Sequence, residues 1–487
     1  MSTTTDLSPP VDAEAARDTA LGDGAPPTRR TWSVAPLLLR LHFYAGILIA
    51  PFLVVAALTG LGFVFTPQLD QVIYAHELYV DQVQGTARPL AEQVAAAIAV
   101  HPAGAVGSVV PPASDDATTK VVFIVDGIGD RQHTVYVDPY TNQVRGTLVT
   151  WWGETPVMTW FDDLHRNLLL GDFGRHYSEL AASWLWVVTL GGVVLWLRRQ
   201  RGRRIRATVL PDLSAKKGVR RTRGWHAATG VWLTVGLLIL SATGLTWSRY
   251  AGANFTAVLD AVNGHKPELV TAVDSGGAAG GGHHGGEGAG PVPVDLAAVD
   301  QTVATARTAG LSGPIEVAVP MAGRAWTVTQ TDNVWPVHLD RVAVDPSRHT
   351  VTARSDFTDW PLLAQLSKLG VQAHMGYLFG LVNQLLLAAL GIGLLCVIVW
   401  GYRMWWQRRP TRVDRHAIVG IPPARGGWMR LPAVAIAIGV PVVFAIGWAL
   451  PMLGLSLVAF LAADLIVGAV RRRAVPVVAT SPAPTGS

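Results

Sequence analysis

Residues 36–65 read PLLLRLHFYAGILIAPFLVVAALTGLGFVF, and residues 225–247 read WHAATGVWLTVGLLILSATGLTW. Each run is long and apolar enough to cross a bilayer, which takes about 20 such residues as a helix. Each has one histidine near its start, His42 or His226. Each has Thr-Gly-Leu near its end, Thr59-Gly60-Leu61 or Thr243-Gly244-Leu245. The step from histidine to threonine is 17 residues in both. A shared plan at this distance points to a duplicated unit inside a membrane protein.

Working outward, four more apolar segments are expected to span: 178–197, 376–402, 431–449 and 452–470. The last two flank Leu450-Pro451 and read as a tight hairpin, and Pro441 is a possible kink in the fifth. The expected repeat is span, outer segment, span, followed by its copy and then by the hairpin. Before the second span stands Leu164-His165, with Gly171 six residues on; before the fourth, Ala373-His374, with Gly380 six residues on. The second copy lacks about four residues near Asp172–Ser178, by this alignment of periods.

Basic residues set the orientation. Residues 198–223 hold eleven Lys or Arg, and further clusters follow the fourth span (Arg403, Arg408, Arg409, Arg412, Arg415) and the sixth (Arg471, Arg472, Arg473). Arg29, Arg30 and Arg40 sit at the first. With six crossings these all fall on one side, so both termini are expected in the cytoplasm. Residues 1–32 read as a disordered cytoplasmic N-terminus without an ordinary signal peptide, 403–430 as a cytoplasmic loop, and 471–487 as a cytoplasmic tail.

Two outer segments remain, 66–177 and 248–375. In the first, a helix over Leu90–Ala99 precedes strands at Val106–Val110, Lys120–Val125, His133–Val137 and Gln143–Val149, with a turn at Asp138-Pro139 and Thr141-Asn142. In the second, a helix over 295–308 precedes strands near 315–319, 325–330, 337–344 and 349–353, with the matching turn at Asp345-Pro346-Ser347. The fold class expected is therefore a polytopic all-α membrane protein of six transmembrane helices, with two α+β extracytoplasmic domains as a tandem repeat. Residues 275–290 are mostly Gly and Ala around His283-His284 and read as a linker.

Composition narrows the chemistry. Half of the 487 residues are hydrophobic, 15% are charged, and the mean hydropathy is +0.32. The formal net charge of +5 reflects topology signals at span ends, so no nucleic-acid partner is expected. Cys396, the only cysteine, lies in an apolar run; a single chain cannot build a disulfide, a thiolate zinc site or a cysteine-ligated cluster from it. No dinucleotide, phosphate-loop, zinc-protease or nucleophile-elbow motif stands in a suitable context.

Four of the fourteen histidines recur at matched positions: His42 and His226 near the cytoplasmic starts of their spans, His165 and His374 just before outer-side entries. Ionisable groups at membrane depth are costly and face partners. Imidazole suits haem iron, and histidines from two helices can fill both axial positions. Depth pairs His42 with His226 and His165 with His374, one pair per leaflet. A histidine at a helix end also serves as a plain interfacial hydrogen-bonding group, and duplication preserves that role equally, so the residues leave both readings open. His176, in Phe173-Gly174-Arg175-His176-Tyr177, is the alternative outer candidate. Arg166 and Arg175 suit haem propionates or plain solvation.

Leu41-His42-Phe43-Tyr44-Ala45-Gly46 with Leu58-Thr59-Gly60, its copy Gly224-Trp225-His226-Ala227-Ala228-Thr229-Gly230 with Ala242-Thr243-Gly244, and Asp163-Leu164-His165-Arg166-Asn167-Leu168-Leu169-Leu170-Gly171 resemble the PepSY-associated transmembrane helix family of iron-regulated membrane proteins. Tyr136-Val137-Asp138-Pro139-Tyr140-Thr141-Asn142-Gln143-Val144 is similar to the closing hairpin of a PepSY domain, whereas His349 stands where Asn142 does in the first unit. The resemblance covers about residues 33–406. It implies a multi-pass protein of the bacterial plasma (inner) membrane, akin to membrane-bound ferric-siderophore reductases, with two b-type haems on His42, His165, His226 and His374. It further implies reduction of an external ferric siderophore or other iron(III) chelate. Some relatives carry a fused flavin reductase module and this chain does not, so quinol or a cytoplasmic flavoprotein is the expected donor. The competing class is a haem-free PepSY-type sensor, assembly or transport-accessory protein.

Overall fold

Pro51 decides the shape of the first apolar run. A computed structural model describes residues 35–200, 209–211, 217–273, 294–408 and 431–473. In it residues 35–64 form α1 (Ala35–Leu48) and α2 (Ala50–Val64), which meet at 55°. Proline has no N–H to give the carbonyl four residues back, here Ile47. The Tyr402 hydroxyl donates to that carbonyl instead, at 2.9 Å, so the bend leaves no orphaned acceptor there.

The helices α3 (Thr66–Ile73) and α4 (Ala75–Leu78) lead from this run to α5 (Leu90–Val100) and strands β1 (Ala105–Val110), β2 (Thr119–Ile124), β3 (Gln132–Val137) and β4 (Val144–Thr150). Then come α6 (Pro156–Asn167) and α7 (Gly171–Arg199). The order returns in α8 (Val219–Leu245), α9 (Tyr250–Ala261), α10 (Leu296–Thr308), strands β5 (Ile315–Ala318), β6 (Trp326–Gln330), β7 (Arg341–Asp345) and β8 (Thr350–Ser355), α11 (Leu362–Met375) and α12 (Leu381–Gln407). Two helices follow, α13 (Ala433–Ala449) and α14 (Pro451–Arg473).

Among the described residues, α7, α8, α12 and the Pro451–Val470 part of α14 are long and apolar enough to cross a membrane; the bent α1–α2 pair makes a fifth if it is one span. The helix expected as the fifth of six spans is α13, apolar but only 17 residues long, about 25 Å at 1.5 Å per residue against a core of roughly 30 Å. Pro441 lies inside it and the helix continues through. α14 docks on the bundle by an Arg40–Asp464 ion pair and by Trp184, whose indole N–H donates to Ser456 Oγ at 2.7 Å.

The segments expected outside, 66–177 and 248–375, depart from the expected pair of domains. Their strands form one antiparallel sheet, ordered β4-β3-β2-β1-β5-β6-β7-β8. The seam pairs Ser108 with Ala318 and Val109 with Val317. An unpaired β1 or β5 would expose a row of open hydrogen-bonding groups, and each covers the other. Helices α5 and α10 pack over the sheet. Val94 and Ala97 are buried with Val109, Val121, Phe123 and Val135; Val299 and Ala306 with Val317, Val328 and Val342. Val294 and Val319 pack against both cores. Burying each valine contributes about 1.5–3 kcal/mol. The Asp300 carboxylate on α10 accepts from Leu90 N and Ala91 N, at 2.8 and 3.0 Å, and so caps α5 of the other half. In the two hairpins Asp138 and Asp345 accept backbone N–H groups, and Asn142 and His349 both take left-handed φ, 60° and 55°.

The expected disordered N-terminus, the linker 275–290, the tail beyond Arg473, half of the loop 198–223 and most of the loop 403–430 lie outside the described residues.

Candidate functional site

His42 on α1 and His226 on α8 face one another, with ring centroids 6.3 Å apart and planes at 81°. The His42 Nδ1–H donates to the Val188 carbonyl of α7 at 2.9 Å, and the His226 Nδ1–H to the Val397 carbonyl of α12 at 2.9 Å. A carbonyl only accepts, so each Nδ1 carries hydrogen and each neutral ring keeps its Nε2 lone pair. Room for each ring comes from the glycine one turn beyond the carbonyl. A Cβ on Gly192 would lie 3.2 Å from His42 Cε1, and one on Gly401 would lie 3.7 Å from His226 Cε1.

His165 and His374 form the second pair, with centroids 6.4 Å apart and planes at 54°. They sit in the last turns of α6 and α11, not on the long apolar helices themselves. Thr155 caps α6 by accepting from Met158 N, and Gly376, at φ 91°, ends α11. The corner from α6 into α7 is closed so tightly that a Cβ on Gly174 would stand 1.6 Å from the Asn167 carbonyl oxygen. Here the Nδ1 partners are hydroxyls. Thr59 Oγ1 donates to the Val55 carbonyl at 2.8 Å and stands 2.9 Å from His165 Nδ1; Thr243 Oγ1 donates to the Ile239 carbonyl at 2.9 Å and stands 2.9 Å from His374 Nδ1. With its own hydrogen committed, each hydroxyl accepts from the imidazole. Gly60 and Gly244 leave the space, since a Cβ on either would lie 3.1 Å from the facing Cε1.

In both pairs the hydrogen bond found among the described residues is at Nδ1, not at Nε2. A metal–imidazole bond of about 2 Å and roughly 1 Å from nitrogen to ring centre place the centroids of two opposed axial rings about 6 Å apart. Both observed separations meet that arithmetic. On α8, His226 and Thr243 are 17 residues apart, about 25 Å along the axis. Leu53, Trp184, Leu185 and Leu237 belong to the apolar core of the same helices.

An apolar cavity reaches the second pair, lined by Gly60, His165, Gly244, His374, Arg166 and Arg175 among others. Arg166 is already paired with Asp162 and Asp163, at 3.3 and 3.1 Å, and Arg175 donates to the Trp247 carbonyl at 2.8 Å. Close by, burial and then the Asp162 carboxylate push Glu154 up to about 8. Burial raises Asp162 as well, against the pull of Arg166.

His176 is half-buried and committed elsewhere, its Nδ1–H to the Phe173 carbonyl at 3.0 Å and its Nε2 to the Tyr250 hydroxyl at 3.1 Å. His101 Nε2, at the end of α5, and His133 Nδ1, on β3, lie 2.8 Å apart, a contact that their sequence positions do not suggest. Among the described residues no group of three or more His, Cys, Asp or Glu is arranged to hold a metal ion. His283 and His284 lie outside those residues.

Sequence reasoning singled out the four histidines and the Thr-Gly steps but missed what the latter do: the threonine takes the Nδ1 hydrogen and the glycine clears the ring. The repeated 17-residue spacing was the available signal. No curated protein matches the chain. A family model described as the PepSY-associated TM region matches residues 39–408, from the helix bearing His42 to the end of α12. That match takes in both histidine pairs and the whole sheet, and on it the chain belongs to the PepSY-associated transmembrane family.

Proposed function

We propose that the protein holds two b-type haems, one between His42 and His226 and one between His165 and His374, and carries electrons across the bacterial plasma membrane to an external iron(III) chelate such as a ferric siderophore. The observation that carries this reading is the fourfold commitment of Nδ1, in two histidine pairs whose ring centroids are 6.3 and 6.4 Å apart. Bound there, the haems would supply one-electron chemistry, whose potential the axial ligands and their surroundings tune.

The chain's own task is to fix the imidazoles. Hydrogen bonds at Nδ1 set the tautomer and hold each ring in orientation, the arrangement that raises the basicity of a ligating histidine. The facing glycines keep the ring edges unobstructed, and the apolar walls exclude water. At the acceptor, one electron converts iron(III) to iron(II), which hard oxygen donors hold less tightly.

The reading includes six spans in a tandem repeat, with α13 as the fifth, both termini cytoplasmic and the sheet outside. Basic clusters at 198–223 and after α12 support that orientation. Quinol or a cytoplasmic flavoprotein is the proposed donor. Reporters fused within Gly280–Gly290 and at the C-terminus should mark opposite sides of the membrane. The deciding measurement is pyridine haemochrome content against protein concentration: it should approach two b-type haems per chain, and a ratio near zero under haem-sufficient expression favours the haem-free sensor class.

A further inference from the structure

A second cavity, of about 390 Å³, lies in the C-terminal half of the sheet domain, bounded by α9, β6, β7 and α11. Its lining includes Lys266, Arg341 and Lys368, with His265, Trp360 and Ser367, and contains no Asp or Glu. Asp260 accepts from His265 Nε2 at 2.7 Å, and Glu268, three residues beyond His265, is not part of the lining. Neither lysine makes an ion pair with a described residue. Arg341 lies over the Trp360 ring at 5.6 Å and donates from Nη2 to the Pro267 carbonyl, yet its buried Nε has no hydrogen-bond partner among the described residues.

Converging cations without a counter-charge in the lining repel one another, and the partial burial of Arg341 and Lys368 adds to the cost. The titration of the groups registers this. Burial and then Arg341 hold the Lys266 amine below the ordinary lysine range, and burial and then Lys266 do the same to Lys368. Such a cluster is costly to the empty fold and is relieved by a multivalent anion.

The cluster is peculiar to this half of the chain. Lys368 precedes His374 by six residues, as Thr159 precedes His165; Arg341 precedes Asp345 by four, as Thr134 precedes Asp138. Thr134 and Thr159 are buried and satisfied, by Thr150 Oγ1 at 2.7 Å and by the Thr155 carbonyl at 2.8 Å. The cavity is also coupled by position to the second histidine pair. Ala364, Ser367, Lys368 and Val371 line it at the spacing of one helix face, and His374 continues that stripe on α11. From Lys368 to His374 is about 9 Å of helix axis.

We infer that the Lys266–Arg341–Lys368 cavity binds a multivalent oxygen-acid anion, namely a carboxylate-bearing metal chelate seated one helix face from the His165–His374 pair. Three cations, a guanidinium N–H and an indole wall suit a polycarboxylate complex and give little to a neutral hydroxamate. As the acceptor for electron transfer, this chelate rests on the function proposed above; its binding does not.

The probe is gallium(III) citrate, which has the charge of an iron(III) chelate and is redox-inert. Calorimetry on the haem-loaded full chain in phosphatidylcholine nanodiscs should show binding that weakens as salt rises from about 0.05 to 0.5 M. Lys266→Gln/Lys368→Gln should weaken it at least tenfold, and Lys266→Arg/Lys368→Arg should restore it. A gallium trihydroxamate should show neither dependence. Unchanged citrate affinity in the double Gln variant overturns the site. Loss of citrate binding when phosphatidylglycerol is added, with that lipid effect absent in the Gln variant, assigns the cavity to a lipid headgroup and overturns the chelate. If the double Gln variant fails to fold, the salt dependence and the trihydroxamate comparison on the unmodified protein still decide: citrate binding that does not weaken with salt, or equal binding of both complexes, overturns the site. Gallium citrate binding without haem would sink only the proposed function; two haems without gallium citrate binding would sink only this site.

Discussion

Thr59 Oγ1 stands 2.9 Å from Nδ1 of His165, and because that hydroxyl already donates to the Val55 carbonyl it accepts from the ring. Thr59→Val removes the acceptor and keeps the shape. The ring then loses its fixed tautomer, and haem retention at the outer pair should fall roughly 10–100-fold, the usual effect of losing an outer-shell partner. Thr59→Ser should retain most of it. The check is haem titration with low-spin absorbance; equal retention in the Val and Ser variants would refute the role.

Gly60→Ala places a Cβ 3.1 Å from His165 Cε1, close enough to displace the ring by a few tenths of an ångström. The outer signal should shift or weaken while the inner one stays. Gly46→Ala, on the same apolar run, meets nothing within 4 Å and should leave both unchanged. Identical spectra for the two variants would remove the clearance argument.

His42 and His226 act on one site, so their changes should not add. His42→Ala should cost one low-spin signal, and adding His226→Ala should do little more. His42→Ala with His374→Ala should abolish both signals. On the proposed function the sites would act in series, so reduction of an outside chelate should fail in His42→Ala alone and in His374→Ala alone. Insertion and folding are scored first, since losing a ligand also removes binding free energy from the native state. A folded His42→Ala/His226→Ala protein that lost both signals would contradict the pairing.

Glu154 is pushed from its ordinary 4.5 up to about 8, by burial first and by Asp162 second. Between those values the folded protein holds a proton that the unfolded chain has released. Its stability therefore falls as pH rises from about 4.5 to about 8 and levels off above. Glu154→Gln removes this dependence, so the variant should gain stability relative to the unmodified protein across that window. Thermal unfolding in detergent from pH 5 to 9 measures the difference; a gap that is constant with pH would show that Glu154 does not titrate there.

Much of the local structure was legible. Alternation gave strands whose ends differ by a residue or two from β1 to β4, and the Asp-Pro turns located both hairpins. The bend at Ile49 was less visible, although Pro51 was in view, because the acceptor it frees is satisfied by Tyr402, far away in sequence. The single sheet was not legible either: Ala105–Val110 and Ile315–Ala318 each read as the first strand of a unit, and nothing in an alternating pattern names its neighbour.

By itself the sequence determined which segments are apolar enough to span and where the matched histidines fall along them. Apolar length fixes a span, basic residues mark its ends, and a constant 17-residue step sets His42 and Thr59 in the same relation as His226 and Thr243. On α8 that step runs along one helix and follows from its rise per residue, whereas in the first copy it crosses the α1–α2 bend. The tertiary structure decided what each imidazole nitrogen meets. Val188 and Val397 act through carbonyls that every residue has, so no side-chain pattern could mark them, and Gly192 and Gly401 matter only because another helix presses a ring against them. The same holds for Lys266, Arg341 and Lys368, drawn from a loop, a strand and a helix. Each is unremarkable along the chain, and only packing sets three like charges around one cavity with no carboxylate in its lining.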